Sequence, residues 1–367
     1  MCGKCRRVCA YQKEERKLLQ ASAAYVSAAK KDRLLIKSAS GGIFAVAAEK
    51  VLSSGGAVFG AALDCSGNTL VPHHVMIEDR KQLSRLQGSK YVQSDTEDTY
   101  HRAKIQLDSG RMVLYSGTPC QIAGLKGYLG KDYENLITMD IICHGVPSVR
   151  MFQDYIKLLM KKWNGTVKDF KFRDKSKGWG HNAMIIYEDK KGRTHKKWIP
   201  SGASSYFDLF LKSENFRENC YSCPYASRHR IGDLTVGDYG GIQKEHPELL
   251  EEAGGNYSDR KGISCILINT EKGKRFLQQM EDRIWLDESS VEKVAKGNVQ
   301  LNHPGHYTEK REKILDLYAQ KGYEAVDDYF KRNNRIRIGY SYIKSMIPRS
   351  LKKEIKRCLG NWMKDGN

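Results

Sequence analysis

RMVLYSGTPCQIAGLKGYLGKDYENLITMDIICHG, residues 111–145, is the stretch that sets the fold class. "RMVLYSG" is a compact apolar run closed by Ser-Gly and reads as a buried strand. "TPCQIAGLKGYLG" reads as a helix entered through a turn, and "NLITMDIICHG" as a second buried strand. Strand, helix, strand in so short a span predicts an α/β layer architecture. Cys120 and Cys143 each follow a predicted strand, at the carboxyl end where such folds gather their chemistry.

Toward the amino terminus, "SASGGIFAVAAEKVLSSGG" reads as a helix that starts at glycine and ends at Gly55 and Gly56. "AVFGAAL" and "LVPHHVMI" read as strands about the turn "DCSGN", and "TEDTYHRAKIQLDSG" as a helix. "YQKEERKLLQASAAYVSAAK", residues 11–30, reads as a helical or irregular connector. Beyond "VRMFQDYIKLLMKKWNG" the pattern loosens. "TVKDFKFRDKS", "HNAMIIYEDKKGRTHKKWIP" and "DLTVGDYGG" read as sheet strands, and "GISCILINTEKGKRFLQQM" as a buried strand followed by a helix. His303 to Asn333 reads as amphipathic helix, followed by a basic, proline-interrupted tail. The expected fold class is α/β with mixed (α+β) sheets. The expected segments are 1–30, 31–150, 151–300 and a helical, basic extension over 301–367.

The 367 residues carry a formal charge of +19, with a pI near 9.4 and a mean hydropathy of −0.59. Much of the positive excess lies in "KRNNRIRIGYSYIKSMIPRSLKKEIKRCLGNWMKDGN", residues 331–367. No apolar run is long enough to span a bilayer and no signal-like apolar segment opens the chain, so a cytoplasmic location is expected. Ten cysteines in a reducing compartment point to metal or redox work rather than to a disulfide framework.

Two cysteine groups stand out. Cys2, Cys5 and Cys9 follow the latter part of the bacterial ferredoxin spacing, with Ala10 where proline is usual. The preceding cysteine of that spacing falls before Met1, so a remnant of a longer segment is expected. The second group is Cys120, Cys143 and the C-x-x-C pair Cys220 and Cys223. Four thiolates from three loops suit a tetrahedral zinc or one iron–sulfur cube, and spacing does not separate the two. Cys65, Cys265 and Cys358 read as lone buried cysteines, small apolar side chains.

Several polar loops accompany the thiols. Ser40, Gly41 and Gly42 sit at a helix amino end, which suits a phosphate or a plain cap. Lys90, Tyr91 and Gln93 place a cation, a ring and an amide together, and Asp238 and His144 are further polar candidates. No Walker loop, no G-x-G-x-x-G and no Ser-His-Asp order is present, which argues against nucleotide hydrolysis, a Rossmann dinucleotide site and serine hydrolysis. No nucleic-acid recognition module is visible, so nucleic acid is not an expected partner.

"SGGIF", "SKYVQSD", "YSGTPCQIAGLK", "DIICHGVPS", "CYSCPYA" and "GDLTVGDYGG", in this order, resemble the coenzyme F420 hydrogenase/dehydrogenase beta-subunit family, from the amino terminus to about Asn269. The resemblance implies an FAD-binding core, with [4Fe-4S] ligation by Cys120, Cys143, Cys220 and Cys223. It implies a flavin site lined by Ser40, Gly41, Gly42, Lys90, Tyr91, Gln93 and Thr118. Cys2, Cys5 and Cys9 then match the end of the family's ferredoxin segment, a remnant ferredoxin-like amino terminus. The implied activity is electron transfer between a two-electron hydride partner and one-electron carriers, with reduced coenzyme F420 a candidate substrate. A ferredoxin or a partner redox subunit is the implied electron partner. The alternative is a non-catalytic scaffold with a structural metal site. In that case the tail docks on an anionic membrane surface, at the inner face, through "IKSMIPRSLKKEIKRCLGNWM". No catalytic residue is assigned from the sequence.

Overall fold

A computed structural model describes residues 8–11 and 17–347; Cys2, Cys5, Cys358 and the rest of the tail lie outside the described residues. In chain order the strands are β1 (Leu19–Gln20), β2 (Ala23–Ala29), β3 (Ala57–Ser66), β4 (Thr69–Ile77), β5 (Val113–Gly117), β6 (Leu136–Ile141) and β7 (Gly165–Lys171). They continue as β8 (Asn182–Asp189), β9 (Thr194–Pro200), β10 (His229–Arg230), β11 (Leu234–Asp238), β12 (Ser264–Ile268) and β13 (Ile284–Ser289). The longer helices are α1 (Ile43–Ser53), α2 (Thr99–Asp108), α3 (Pro119–Leu129), α4 (Val149–Trp163), α5 (Ser205–Leu211), α6 (Glu271–Gln278), α7 (Glu309–Asn333) and α8 (Arg335–Met346).

Eight strands form one mixed sheet in the order β13-β2-β12-β11-β6-β5-β3-β4. β3, β5, β6 and β11 run parallel, with antiparallel β4 at one edge and antiparallel β12, β2 and β13 toward the other. β7, β8 and β9 make a separate antiparallel sheet, and β1 pairs with β10. The fold class is α/β with mixed sheets, as the β5–α3–β6 pattern requires.

Alternation along β5 explains how helices cover both faces. Val113 and Tyr115 join a cluster with Ala103 and Leu107 of α2 and Ile122 and Leu125 of α3. Leu114 points the other way, into a cluster with Val46 and Val51 of α1 and Phe276 of α6. α3 starts with proline at its first position and ends at Gly130, whose φ of 71° suits glycine. A second, aromatic core packs Phe152 and Tyr155 of α4 and Tyr206 and Phe207 of α5 onto Phe170 of β7.

The connector reading of residues 11–30 is corrected: Ala23–Ala29 is a strand between β12 and β13. Alanine and serine carry little strand preference of their own. Burial decides here, since Val26 is fully buried and Ser27 donates its hydroxyl to the Trp285 carbonyl at 2.7 Å. The carboxyl-terminal helix begins later than His303, at Glu309 behind a Thr308 cap, and bends at Gly322, where φ is 72°.

Between the neighbouring strands β6 and β11 the chain makes a long excursion through α4, β7–β9, α5 and the Cys220–Cys223 loop. That detour carries the C-x-x-C loop back to the turns that follow β5 and β6.

Candidate functional site

Cys120 is the second residue of α3, directly after β5, and Cys143 lies just beyond β6. Cys220 and Cys223 occupy the turn between α5 and β10. All four are free, half-buried thiols, as is Cys9. Burial pushes the Cys143 thiol up, and charge on Cys120, Cys220 and Cys223 raises it further, with the Gly145 amide opposing. Burial likewise raises Cys220 and Cys223, each of which also feels Cys120. The structure therefore brings these four thiols into one electrostatic neighbourhood. Among the described residues, however, no three His, Cys, Asp or Glu side chains converge closely enough to hold a single metal ion. A lone zinc would draw its sulfurs to about 2.3 Å from one point.

Tyr11 joins the group. Its hydroxyl is hydrogen-bonded to Cys120, and burial first, then Cys120, Cys220 and Cys223, raise its phenol. The Ala10 carbonyl accepts the Tyr225 hydroxyl at 2.6 Å, which ties the segment bearing Cys9 to the C-x-x-C side of the site. The lone cysteines differ from one another. Cys265 is buried on β12, its thiol pushed up to about 12 mainly by burial. Cys65 is exposed at the end of β3, which corrects its reading as a core side chain.

Arg230 holds the cysteine loops in place. Its Nη1 donates to the Tyr225 and Ser227 carbonyls, both at 3.0 Å. Its Nη2 donates to Asp140 Oδ1 at 3.0 Å and the Ile141 carbonyl at 3.1 Å, and its Nε to Thr235 Oγ1 at 3.2 Å. Asp140 Oδ2 accepts the Ile231 and Gly232 amides at 3.2 and 2.9 Å. The two side chains are 1% and 0% exposed. One buried ion pair thus fastens the C-x-x-C loop to the end of β6, two residues before Cys143.

Beside the thiols lies a polar network in which residue patterns single out Tyr91, Asp238 and His144 but not Arg173, Lys175 or His181. Arg173, 4% exposed, donates through Nη1 to Tyr91 Oη and to Asp238 Oδ2, both at 2.9 Å, and through Nε to the Gly180 carbonyl at 2.8 Å. Lys175 Nζ donates to the Leu35 carbonyl at 2.8 Å, to the Ser40 carbonyl at 2.7 Å and to the Lys261 carbonyl. Burial, aided by Arg173, lowers Lys175 to about 7; burial and Arg173 also lower His181 to about 4. Tyr91 stacks on Phe210 at 4.5 Å, and His144 packs against Phe210 at 5.2 Å. His144 shares a hydrogen bond with Gln300, while its buried Nε2 has no hydrogen-bond partner among the described residues. The available signal was "FRDKSKGWGHN", residues 172–182: cations, a Gly-Trp-Gly turn and a histidine between two strands.

The expected flavin-site residues have structural partners of their own. Ser40 donates its hydroxyl to the Ile263 carbonyl at 2.8 Å, and the Gly41 amide donates to Ser264 Oγ at 2.9 Å. Gly42, with φ at 83°, precedes α1, which has no side-chain cap. Lys90 Nζ donates to the Arg85 and Gln87 carbonyls at 2.9 Å, and burial lowers it to about 7. The Gln93 amide donates to the Pro147 carbonyl at 3.2 Å, reaching the loop that follows Cys143. Thr118 Oγ1 lies 3.1 Å from Cys120 Sγ, and its amide donates to Gln121 Oε1 at 3.0 Å. A separate cleft of about 360 Å3, lined by residues including Arg33, Lys37, Arg80 and Lys81, shares no residue with the cysteine loops.

Behind Thr118, Gln121 donates to the Ser94 carbonyl and hydroxyl, and Ser94 meets His74 Nδ1 at 3.0 Å. His74 Nε2 lies 3.1 Å from the Ser116 carbonyl, to which it donates. Burial keeps the ring neutral, lowering it to about 4 against an ordinary 6.5. Between these two pH values the unfolded chain takes up a proton that the folded chain refuses. Stability from this group is complete above pH 6.5 and falls as pH drops to about 4, by about 3 kcal/mol. Urea unfolding should lose stability over that window more steeply in the wild type than in His74→Gln.

The family model for the carboxyl-terminal part of the coenzyme F420 hydrogenase/dehydrogenase beta subunit matches residues 110–294. The chain belongs to this family. The F420 hydrogenase/dehydrogenase match spans Cys120, Cys143, Cys220, Cys223, Arg173, Arg230 and Asp238, whereas Ser40–Gly42 and Lys90–Gln93 precede it. Its general chemistry is that of an oxidoreductase. Among solved structures the chain is similar to one from the xenon derivatization of the F420-reducing [NiFe] hydrogenase complex of Methanosarcina barkeri. That likeness has 14% identity and a TM-score of 0.46, over 84% of this chain and 96% of that one. No curated protein matches. Among the described residues no helix is long and apolar enough to cross a membrane.

Proposed function

We propose that this chain is an iron–sulfur flavoprotein that passes electrons between a two-electron hydride partner and one-electron carriers. The observation that carries the reading is the gathering of four thiols from three loops beside the Tyr91–Arg173–Asp238 network. The donor set fits a [4Fe-4S] cluster: four cysteines, three of them with thiols raised by burial and by one another, which a cation would stabilise in the deprotonated form. In this reading Cys120, Cys143, Cys220 and Cys223 hold the cluster, and Cys2, Cys5 and Cys9 are the remnant of a further ferredoxin-like site.

FAD is the second cofactor of the reading. Ser40, Gly41, Gly42, Lys90, Tyr91, Gln93 and Thr118 border its site. The uncapped amino end of α1 suits a phosphate, and the unpartnered His144 Nε2 suits a polar ligand atom. When bound, FAD exchanges electrons in pairs with an organic substrate and singly with an iron–sulfur centre. The chain's own residues do the rest. Arg173, pinned by Asp238, Tyr91 and Gly180, offers a fixed positive charge to an anionic ligand group. Neutral His181 can donate or accept at physiological pH. Tyr91, Phe210 and Phe216 exclude water from the side of His144.

Reduced coenzyme F420 is the candidate two-electron partner, and a ferredoxin or partner redox subunit the one-electron partner. Residues 31–150 and 151–300 then act as two halves of one core, with 1–30 and 301–367 as appendages.

Anaerobic purification with iron, sulfide and flavin quantified tests the proposal. The expected result is flavin with about four irons per chain, the iron being lost in Cys120→Ser/Cys223→Ser. A folded, colourless protein without iron or flavin would overturn it in favour of a scaffold.

A further inference from the structure

Large apolar side chains are exposed at eleven described positions, and four of these fall within eight residues of α8: Ile336, Tyr340, Tyr342 and Ile343. Ile336, Tyr340 and Ile343 recur at the i, i+4, i+7 spacing of one helix face. They are 90%, 59% and 60% exposed. The opposite face meets the protein: Ser341 lies against Gly202, and Arg337 donates to Asp208 Oδ1 at 2.5 Å. The stripe is therefore an outward surface on a docked helix. Its helical shoulders are cationic, with Arg335 on one side and Lys344 on the other.

We propose that α8 docks this chain on an anionic lipid surface, its apolar stripe entering the headgroup boundary and its cations meeting lipid phosphates. This goes beyond the redox reading and does not rest on it. Charge complementarity selects the occupant. From Tyr329 to Lys353 the chain has no Asp or Glu and eight Lys or Arg. Among the described residues Arg332, Arg335 and Lys344 make no ion pair. A cleft of about 480 Å3 at the α7–α8 junction, lined by Asp328, Lys331, Arg332, Arg335 and Ile338, has the size and charge for a phosphate headgroup. A second copy would set like charges face to face. The chain's own residues 348–367, with six Lys or Arg against two acidic residues, are basic as well. Isoleucine and tyrosine between basic shoulders make an interfacial helix, with the cationic side chains reaching back to the headgroups.

Co-sedimentation of the intact chain with vesicles tests this. Vesicles of phosphatidylcholine with a minority of phosphatidylglycerol should bind it, pure phosphatidylcholine should not, and about 1 M salt should release it by shortening the Debye length to about 3 Å. Ile336→Ser/Tyr340→Ser/Ile343→Ser should weaken binding about tenfold or more. These side chains are exposed, so the melting temperature should stay unchanged. Arg335→Glu/Lys344→Glu, which keeps the stripe, should weaken binding as well. No binding to the anionic vesicles, or equal binding by the triple variant, would overturn the proposal. A wild-type dimer that becomes monomeric in the triple variant, without vesicle binding, would overturn it in favour of a second copy.

Discussion

Arg230→Met should cost about 3–5 kcal/mol of stability and, with the proposed cluster in place, reduce iron content, because it leaves the Asp140 side chain, 0% exposed, without its counter-ion. The arginine uses all of its hydrogen-bonding nitrogens on groups of the C-x-x-C loop, β6 and β11. Its loss frees the Tyr225 and Ser227 carbonyls beside Cys223 and the Ile141 carbonyl beside Cys143 at the same time. Lysine should be a poor substitute, since one ammonium cannot reproduce a fork that reaches five acceptors. Adding Asp140→Asn to Arg230→Met should restore part of the loss. It removes the stranded charge and keeps an acceptor for the Ile231 and Gly232 amides. Urea midpoints and iron content of the three variants check this. A fully stable Arg230→Met protein with normal iron would remove the clamp from the account.

Gly41→Ala should destabilise the protein by about 2–3 kcal/mol through overpacking. A methyl group at this position would lie 2.6 Å from the Ser27 carbonyl oxygen and 2.7 Å from the Ser264 nitrogen. Both are backbone atoms of paired residues on β2 and β12, so neither can step aside. The Gly41 carbonyl also accepts the Ala29 amide at 2.7 Å, which fixes the loop from the other side. Gly55→Ala is the control: open space surrounds that position and only its φ of 73° opposes alanine, which costs about 1–2 kcal/mol. If Gly41→Ala lowers flavin content with no change in the urea midpoint, the glycine serves the ligand rather than the sheet. A drop in both assigns it to packing, with the flavin loss following from a displaced Ser40–Gly42 loop.

The parts of the site that are readable from residue types share one property: each announces itself locally. Cys120 and Cys143 follow apolar runs, Cys220 and Cys223 form a spaced pair, and Gly42 opens a helix. Arg230 carries no such mark. The residues just before it, Arg228 and His229, are polar and exposed, while Asp140, which requires it, is 90 residues away in the chain. Arg173 is hidden for the same reason, since its partners Tyr91 and Asp238 lie 82 and 65 residues away on different elements. β2 escapes a local reading because its alanines and serines have no strong local preference, and its place between β12 and β13 is supplied by pairing with residues over 200 positions distant.

Residues 111–145 by themselves determined an α/β layer with cysteines at the carboxyl ends of two parallel strands, because apolar period and turn chemistry act over a few residues. Only the tertiary structure decided that the loop after β7 folds over the Ser40 turn, that one buried arginine joins the cysteine loops, and that the apolar side of α8 faces outward. Each of those outcomes depends on which distant groups meet, and burial and pairing settle that only when the whole sheet has formed.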